Sequence, residues 1–329
     1  MEQPITLQQA IIHYSDADNC IAFLVSQRWP DGNVTCPICG AEGAKYLPRR
    51  VWQCKSRHPK SQFSIKVGTV MEDSALGLDK WLTAMWLLAN SKNGVSSHEL
   101  AKSVGVTQKS AWHMMHRIRL AMRDEAPTTL GGGSEGGPVE VDEAFVGGEP
   151  KNWHNSKRIA HHKAVRSQRV RTYQNAFTHK TAILGMLDRD SRKVRAMVVP
   201  NVRRETLQSQ ILETIEFGST VYTDQAVTYK SLKDKYVHDT VNHATQYVNG
   251  QVHTNGIENF WSLMKRNLKG TYVAVEPFHL DRYLDEQVFR YNNRRLKNDG
   301  QRFVAVVSQI IGKRLTYSEL TGKKQAEVF

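Results

Sequence analysis

The sequence predicts an α+β protein of several domains, because the pattern of apolar residues changes character along its 329 residues. Helical spacing governs the N-terminus and residues 78–123, a stretch with Cys, Pro and short β-type runs lies between them, and strands alternate with helices from residue 139. An apolar fraction of 40% is sufficient for packed cores. The expected segments are a helical segment at 1–29, a cysteine-containing module at 30–72, a helical module at 73–125, a glycine-rich linker at 126–138, an α/β domain at 139–300 and a helical tail at 301–329.

The charge of the chain predicts a polyanionic partner. The formal net charge is +13 and the pI is about 9.6, which favours nucleic acid, while charge that serves only solubility is the alternative. No apolar run reaches the roughly 20 residues of a membrane-spanning helix, and the N-terminus lacks the basic start and apolar stretch of a signal peptide. Three of the four cysteines are clustered, which is typical of metal binding in a reducing cytoplasm. We therefore expect a cytoplasmic protein with no membrane partner.

The cysteine-containing module offers four ligands to one metal ion. Cys36 and Cys39 flank a Pro-Ile turn, and Cys54 and His58 follow on the next β-type run. Three thiolates and an imidazole at this spacing suit a closed tetrahedral site for structural Zn²⁺, and the spacing resembles a zinc ribbon. A module this small could not fold on its apolar residues alone, so the metal is expected to stabilise it. Unpaired thiols in a chance motif are the alternative, and Cys20 is expected to be an ordinary core residue.

The helical module has the sequence logic of a helix-turn-helix. A Ser at 96 or 97 caps a short helix with Glu99 reaching back, Gly105 makes the turn, and Thr107 caps a second helix. In such a motif the polar residues near the start of the second helix reach the major groove of duplex DNA. An ordinary helical bundle is the alternative. The residues expected on the DNA-facing side are Gln108, Lys109, Ser110, His113 and Arg117.

The α/β domain begins with three strands, followed by an amphipathic helix, another strand and further elements. The runs are VEVDEAF, TAILGMLD and KVRAMVV, then RRETLQSQILETI, STVYTD and KYVHDTVN, and last a helix that begins near residue 255. This order matches an RNase H-like fold with a mixed sheet, in which carboxylates gather at one edge of the central sheet. The sequence therefore predicts an RNase H-like α/β catalytic domain.

Three acids lie where that fold would bring them together. Asp142 and Asp224 lie at or near the ends of β-type runs, and Glu258 lies in the first turn of the late helix. Carboxylates at converging strand ends and a nearby helix can hold two divalent cations, which activate a water or hydroxyl and stabilise the leaving oxygen in phosphodiester chemistry. Two neighbours compete with Asp142: strand alternation puts Glu140 on its face and Glu143 on the other.

A basic segment lies between the first two strands of this domain. Residues 151–175 contain Lys and Arg, with Lys157, Arg158 and Arg166 among them, and no acid. A solvated or disordered charge run is one interpretation. Its position beside the catalytic strand favours contact with the DNA backbone.

The order of these motifs resembles bacterial DDE transposases of insertion-sequence family 1595. The resemblance covers residues 15–300 and is carried by CPICG, VEVDEAFVGG, VYTDQAVTYKSL, HTNGIENFWSLMKRNLKGTY and RYLDEQVFRYNNR. It implies a catalytic triad of Asp142, Asp224 and Glu258 that binds two Mg²⁺ (or Mn²⁺) ions. It also implies that Lys265, which lies on the Glu258 face of the same helix, contacts a phosphate near the scissile bond, and that the adjacent Arg266 contacts DNA.

The resemblance implies a DNA transposase that binds the terminal inverted repeats of its element, cleaves 3′ ends and transfers them into target DNA. Concerted cutting and joining of two ends implies at least a homodimer on duplex DNA in the bacterial nucleoid. Two alternatives remain open from the residues. One is a transposase-derived DNA-binding regulator without catalysis, and the other is an RNase H-type nuclease acting on RNA–DNA hybrids.

Overall fold

The protein folds as two compact units, which are described separately below. A computed structural model describes residues 3–125, 129–132, 136–148, 154–156, 158–160, 163, 180–224, 227–241 and 252–322. One unit combines residues Met1–Asp124 with Asn293–Phe329, and the other is Glu125–Asn292. In the described parts of the chain, no helix combines the length and apolar character that crossing a lipid bilayer requires.

The N-terminal helices of the first unit form where their spacing and caps predict. Helix α1 is Leu7–Tyr14 and helix α2 is Ala17–Arg28. The chain breaks between them because Asp16 caps α2 through the backbone N–H of Asp18. Tyr14 and Phe23 then pack with Trp86 and Phe303 in an aromatic cluster, so the core of this unit joins residues from both ends of the chain.

The helical module follows the predicted helix-turn-helix pattern. Its helices are α3 (Leu78–Asn90), α4 (Ser97–Val104) and α5 (Gln108–Met122). Ser96 and Glu99 form a capping box at α4, and Thr107 caps α5. Gly105 ends α4 with a φ of 63°, which glycine adopts without the steric cost of a Cβ. Helices α9 (Asp299–Val307) and α10 (Tyr317–Leu320) complete this unit.

The cysteine-containing module is a small antiparallel sheet. Strands β1 (Lys45–Leu47), β2 (Val51–Gln53) and β3 (Gln62–Phe63) pair in that order. The rings of Trp52 and Phe63 are buried and stack on each other, which is a very small apolar core for a module of this length.

The second unit is built on a five-stranded mixed sheet of order β6-β5-β4-β7-β8. The strands are β4 (Val139–Val146), β5 (Thr181–Asp188), β6 (Val194–Val199), β7 (Thr220–Asp224) and β8 (Val237–Val241). Strands β4, β5 and β6 pair antiparallel, whereas β7 and β8 run parallel to β4. Strand β4 is therefore central, and the predicted α/β class with a mixed sheet is confirmed.

Two helical layers cover the two faces of this sheet. Helix α6 (Arg204–Thr214) and the 3-10 helix Val227–Asp234 pack with Val139 and Val141 on one face. Helices α7 (Asn255–Asn267) and α8 (Leu280–Asn292) pack with Ala144 on the other face. Alternation along β4 therefore sends its odd-numbered residues toward α6 and its even-numbered residues toward α7.

Part of the glycine-rich stretch before β4 is anchored rather than loose. Leu130 is 3% exposed, its N–H donates to the Thr214 carbonyl, and its carbonyl accepts from the Glu216 N–H. The segment boundaries given from the sequence stay predictions.

Candidate active site and metal centre

The parallel pairing of β4 and β7 brings two acids to the same edge of the sheet. The register pairs Glu140 with Tyr222, and continuing it by two residues on each strand places Asp142 beside Asp224. Residues in register on parallel strands point to the same face, so both carboxylates face the α7 layer.

Helix α7 brings the third acid to this edge through a close approach to the sheet. Gly185 lies opposite Asp142 on β5, and a Cβ there would be 2.4 Å from the Trp261 ring. The missing side chain lets the indole lie against the strand, and its Nε1–H donates to Asp142 Oδ2 at 3.1 Å. Glu258 lies one turn earlier on α7, where Thr254 Oγ1 donates to its Oε1 at 3.0 Å.

The electrostatics of Asp142 indicate that Asp224 and Glu258 lie near it. Burial is the main cause that raises the pKa of Asp142 to about 6, the negative charges of Asp224 and Glu258 contribute to this rise, and N–H donors from Glu143 and Trp261 oppose it. The charges of Asp224 and Glu258 disfavour ionisation of Asp142, and a divalent cation held by the three carboxylates would offset this effect, since hard cations prefer carboxylate oxygens. The residues present therefore fit the implied Mg²⁺ ions.

Glu143, one of the two competitors of Asp142, lies on the opposite face as alternation predicts. Tyr229, which is fully buried, donates its hydroxyl to Glu143 Oε1 at 2.5 Å. Burial is the main cause that raises the pKa of Glu143 to about 7, and the charges of Asp224 and Asp142 add to it. Glu143 is therefore a neighbour of the acid cluster with its own hydrogen-bond partner.

Glu140, the other competitor, is engaged elsewhere. Its side chain is 1% exposed, Oε1 accepts from Arg189 Nε at 2.6 Å, and Oε2 accepts from the Ile257 N–H at 2.9 Å. Both oxygens already have strong donors, so Glu140 is not offered to a metal ion in this arrangement.

The first unit holds a second, chemically different ligand set. Cys36, Cys39, Cys54 and His58 place one ligand atom each within 4.8 Å of the others. Among the described residues this is the only such compact group of three or more His, Cys, Asp or Glu side chains. The Cys36 Sγ to His58 Nε2 and Cys39 Sγ to Cys54 Sγ distances are both 3.5 Å, near the edge length of a tetrahedral zinc site with bonds of roughly 2.0–2.3 Å.

The surroundings of the sulfurs favour thiolates. The Ser56 N–H points to Cys54 Sγ at 3.3 Å, and a backbone N–H donated by Ala41 lowers the pKa of Cys39. Burial raises the pKa of Cys54, which a bound cation would offset. The Cys₃His group therefore fits structural zinc, with His58 directed into the site by its Nε2.

Two family models match the segments that contain the three acids and the three clustered cysteines. A model described as an ISXO2-like transposase domain, of the IS1595 DDE type, matches residues 135–292. A model described as a transposase zinc-ribbon domain, also of IS1595 type, matches residues 15–56. The two matches together cover more than half of the sequence. The chain belongs to the IS1595 family of transposases. This membership makes it a DNA-processing enzyme of the DDE type with a zinc ribbon, and it confirms the resemblance found in the sequence.

Individual relatives of this IS1595 transposase carry similar names. An "Uncharacterized transposase-like protein" of Haemophilus influenzae is 33% identical over 36% of this chain and 94% of its own length. An "Uncharacterized protein in transposable element ISH50" of Halobacterium salinarum is 27% identical over 79% of this chain and 86% of its own length. A cryo-EM structure of the simian T-cell lymphotropic virus intasome with PP2A regulatory subunit B56 gamma matches 62% of this chain and 67% of that chain, at 12% identity and a TM-score of 0.27. That score is too low to carry an argument.

The remaining predicted residues of the transposase fall into three groups. Lys265 and Arg266 are both exposed on α7, and Lys265 lies two turns after Glu258 on the same face of the helix. Arg158 is exposed, with its guanidinium donating to Asn155 Oδ1 at 3.0 Å. Lys157 and Arg166 lie outside the described residues.

Helix α5 presents only part of its predicted DNA-facing side. Gln108 and Lys109 are exposed at its start, and Ser110 is half-buried. His113 is half-buried, its Nε2 lies 3.2 Å from the Leu315 carbonyl, and burial lowers its pKa.

The predicted outward position of Arg117 is wrong. Its side chain is 5% exposed, its guanidinium lies 5.2 Å from the centre of the Trp81 ring in a cation–π contact, and it donates to the Glu72 carbonyl. Helix α5 packs on α3 along this side, and the aliphatic stem of an Arg tolerates such burial when its head is paired. Arg117 therefore contributes to the core of the unit rather than to an exposed surface.

Four further residues shape the acid site and were not singled out from the sequence: Gly185, Arg189, Tyr229 and Trp261. Trp261 had a signal, because it follows Glu258 by three residues and so lies one turn away on the helix. The other three act through strand register and turn geometry, for which the sequence alone gives no distinguishing pattern.

Proposed function

We propose that this protein binds the terminal inverted repeats of an insertion sequence, cleaves the 3′ ends of the element and transfers them into target DNA. The convergence of Asp142, Asp224 and Glu258, whose charges act on one another, is the single observation that carries this proposal. DDE-type family membership supplies the class of enzyme.

Each acid has a defined role in this proposal. Asp142 and Asp224 would hold one Mg²⁺, and Asp142 and Glu258 would hold the other. Bound ions supply Lewis-acid activation of the attacking oxygen and stabilisation of the leaving oxygen. The protein residues orient the donors: the indole of Trp261 fixes one oxygen of Asp142, and the hydroxyl of Thr254 fixes one oxygen of Glu258.

Basic residues on two elements would hold the DNA. Lys265 and Arg266 are exposed on the helix that carries Glu258, which suits contacts to phosphates beside the scissile bond. Gln108 and Lys109, exposed at the start of α5, suit contacts with base edges in the major groove. Processing of two ends in concert would require a dimer or larger assembly on the DNA, in the cytoplasm where the nucleoid lies.

The decisive experiment compares the unmodified chain with Asp224→Asn on labelled DNA carrying the inverted repeats of its element, with Mg²⁺. We expect the unmodified chain to release 3′-hydroxyl ends and to join them to target DNA, and Asp224→Asn to lose at least about a hundredfold in rate, because a neutral amide holds a divalent ion poorly. Asp239→Asn is the matched control, since Asp239 is exposed on the adjacent strand β8.

Two outcomes would contradict the proposal. Unchanged cleavage by Asp224→Asn would show that Asp142, Asp224 and Glu258 do not form the catalytic metal site. Repeat-specific binding without any cleavage by the unmodified chain would instead indicate a DNA-binding regulator with a transposase fold.

A further inference from the structure

A buried network lies beneath the three acids and touches all the elements that carry them. It begins at Glu140, which lies two residues before Asp142 on β4 and is 1% exposed. Its Oε2 accepts from the backbone N–H of Ile257, in the first turn of α7, at 2.9 Å. A carboxylate at a helix N-terminus is favoured by the free N–H groups and by the helix dipole.

The approach of Glu140 to α7 requires a residue without a side chain. A Cβ at Gly256 would be 2.8 Å from Glu140 Oε2. Gly256 therefore lets the carboxylate reach the backbone N–H of Ile257, one residue before Glu258. This hydrogen bond attaches the first turn of α7 to strand β4.

Arg189 connects this attachment to the remaining elements. It lies at the end of β5, its Nε donates to Glu140 Oε1 at 2.6 Å, and its Nη2 donates to the His253 carbonyl at 2.6 Å. His253 also lies close through its ring: Nδ1 is 2.7 Å from Arg189 Nη2 and 3.6 Å from Glu140 Oε1. The guanidinium lies over the ring of Tyr222, 4.9 Å from the ring centre, two residues before Asp224 on β7.

We propose that Glu140 and Arg189 are positioning residues that set the spacing of Asp142, Asp224 and Glu258, and through it the affinity of the site for divalent cations. This rests on the proposed function for the identity of the three ligands. The Arg189 guanidinium contacts one residue near each acid. These are Tyr222 on the strand of Asp224, Glu140 on the strand of Asp142, and His253 just before the helix of Glu258. Lys could not replace it, because a single ammonium cannot span the carboxylate and a carbonyl while lying flat on a ring.

Energetics favour a positioning role over a contribution to stability. A buried ion pair gains little over well-packed apolar side chains, because both charges lose their hydration. It does, however, fix geometry, because the planar guanidinium directs Nε toward Glu140 and Nη2 toward His253. Residues that orient metal ligands from behind typically change metal affinity or activity by about 10–100-fold when replaced.

The test measures Mn²⁺ binding by electron paramagnetic resonance on the full chain with its zinc retained. We expect Arg189→Lys and Glu140→Gln to weaken Mn²⁺ binding by about tenfold, while the unfolding temperature measured in the same buffer falls by no more than a few degrees. Arg204→Lys and Glu205→Gln, at exposed positions of α6, are the matched controls and should bind Mn²⁺ as the unmodified chain does.

A second readout follows the attachment itself. Hydrogen exchange of the Ile257 amide should accelerate in Glu140→Gln and in Arg189→Lys, because its acceptor is weakened or displaced. Mn²⁺ affinity within twofold of the unmodified chain in both variants would overturn the proposal. So would a loss of affinity that tracks global unfolding, because a structural role alone would then explain it.

The two proposals fail in different ways. If the unmodified chain binds Mn²⁺ at the acids but does not cleave DNA, the proposed function fails and the positioning inference is still decided by the Mn²⁺ affinities. If DNA is cleaved with the same half-saturating Mg²⁺ concentration in Arg189→Lys as in the unmodified chain, only the positioning inference fails.

Discussion

The two candidate metal centres of this transposase are assembled in opposite ways. The zinc centre draws Cys36, Cys39, Cys54 and His58 from one short stretch, and its ligand atoms all lie within 4.8 Å of one another. The acid centre draws Asp142, Asp224 and Glu258 from two strands and a helix in distant parts of the sequence. Zinc in the first centre would stabilise a module with a very small core, whereas the acids lie on elements that pack in large apolar cores of their own.

The two centres therefore differ in how their ligands contribute to the free energy of folding. In a zinc module, the free energy of metal binding by the thiolates and the imidazole supplies most of the free energy of folding. Bound zinc would therefore stabilise the module. In the acid centre, burial and the charges of Asp224 and Glu258 raise the pKa of Asp142, so the surrounding fold must offset this unfavourable free energy until cations bind. Removing a ligand should therefore destabilise the zinc centre and stabilise the acid centre in the absence of its ions.

The largest expected effect is the loss of a zinc ligand. In Cys54→Ser the hydroxyl is a poor zinc ligand, so we expect loss of the ion and unfolding of residues 30–72, because structural zinc contributes on the order of 10 kcal/mol to such modules. Native mass spectrometry would count the zinc, and hydrogen exchange would follow the module. Cys20→Ala is the control, since Cys20 is a buried residue of α2 and does not belong to the ligand group. A Cys54→Ser variant that keeps one zinc and native exchange would contradict this.

The next effect has the opposite sign and lies in the acid centre. The pKa of Asp142 is raised to about 6 from 3.8, so the folded state disfavours the ionised form. Without divalent cations this penalty is absent below pH about 4, grows as pH rises to 6 and stays constant above that. Asp142→Asn should therefore stabilise the protein by about 1–3 kcal/mol at pH 7 and by almost nothing at pH 4.

Urea unfolding at the two pH values measures this difference. Buffers free of Mg²⁺ must be prepared by dialysis rather than with a chelator, which would also strip the zinc. Asp239→Asn, at an exposed position on β8, should change the free energy of unfolding by less than about 0.5 kcal/mol at both pH values. Equal or lower stability of Asp142→Asn at pH 7 would show that the carboxylate is not held under repulsion.

The same contrast explains how much the sequence could predict. All four zinc ligands and the break between α1 and α2 were predictable, because local spacing determines both. The class of the second unit, with its mixed sheet, was also predictable from the order of the elements. The partners of the acids were not: Gly185 meets Trp261 only through the pairing of β4 with β5.

Arg117 and Glu140 show a second limit of sequence reasoning. Helical spacing put Arg117 outward, yet it is buried beside Trp81, because a long side chain can bury its stem when its head finds a carbonyl. Alternation correctly put Glu140 on the face of Asp142, but its pairing with Arg189 depends on a turn 49 positions away in the sequence. The periodicity of the sequence predicts on which face of a helix or strand a residue lies. Its hydrogen-bond partner depends on the packing of distant elements.

A smaller effect should follow from changing the support of one acid. Trp261→Phe keeps an aromatic ring against Gly185 but removes the Nε1–H that donates to Asp142. Since that donor lowers the pKa of Asp142, its loss should raise the pKa further and weaken Mn²⁺ binding several-fold at pH 6, where protons compete, and less at pH 8. The cost in stability should be about 1 kcal/mol. Titrations of Mn²⁺ at both pH values measure this, and an effect that is equal at pH 6 and pH 8 would exclude proton competition.

The smallest effect is expected where one zinc ligand is exchanged for another. His58 directs Nε2 toward Cys36 Sγ at 3.5 Å, so imidazole completes a set that a fourth thiolate could also complete. His58→Cys should keep one zinc and the fold of residues 30–72, whereas His58→Ala should lose affinity because the tetrahedron is open. Replacement of zinc by Co²⁺ reports the outcome directly, since thiolate-to-cobalt charge-transfer absorption grows with the number of sulfur ligands. Unchanged absorption in His58→Cys would mean that residue 58 does not bind the metal. Three thiolates would then leave one coordination position of the metal open, as the three acids would for substrate oxygens.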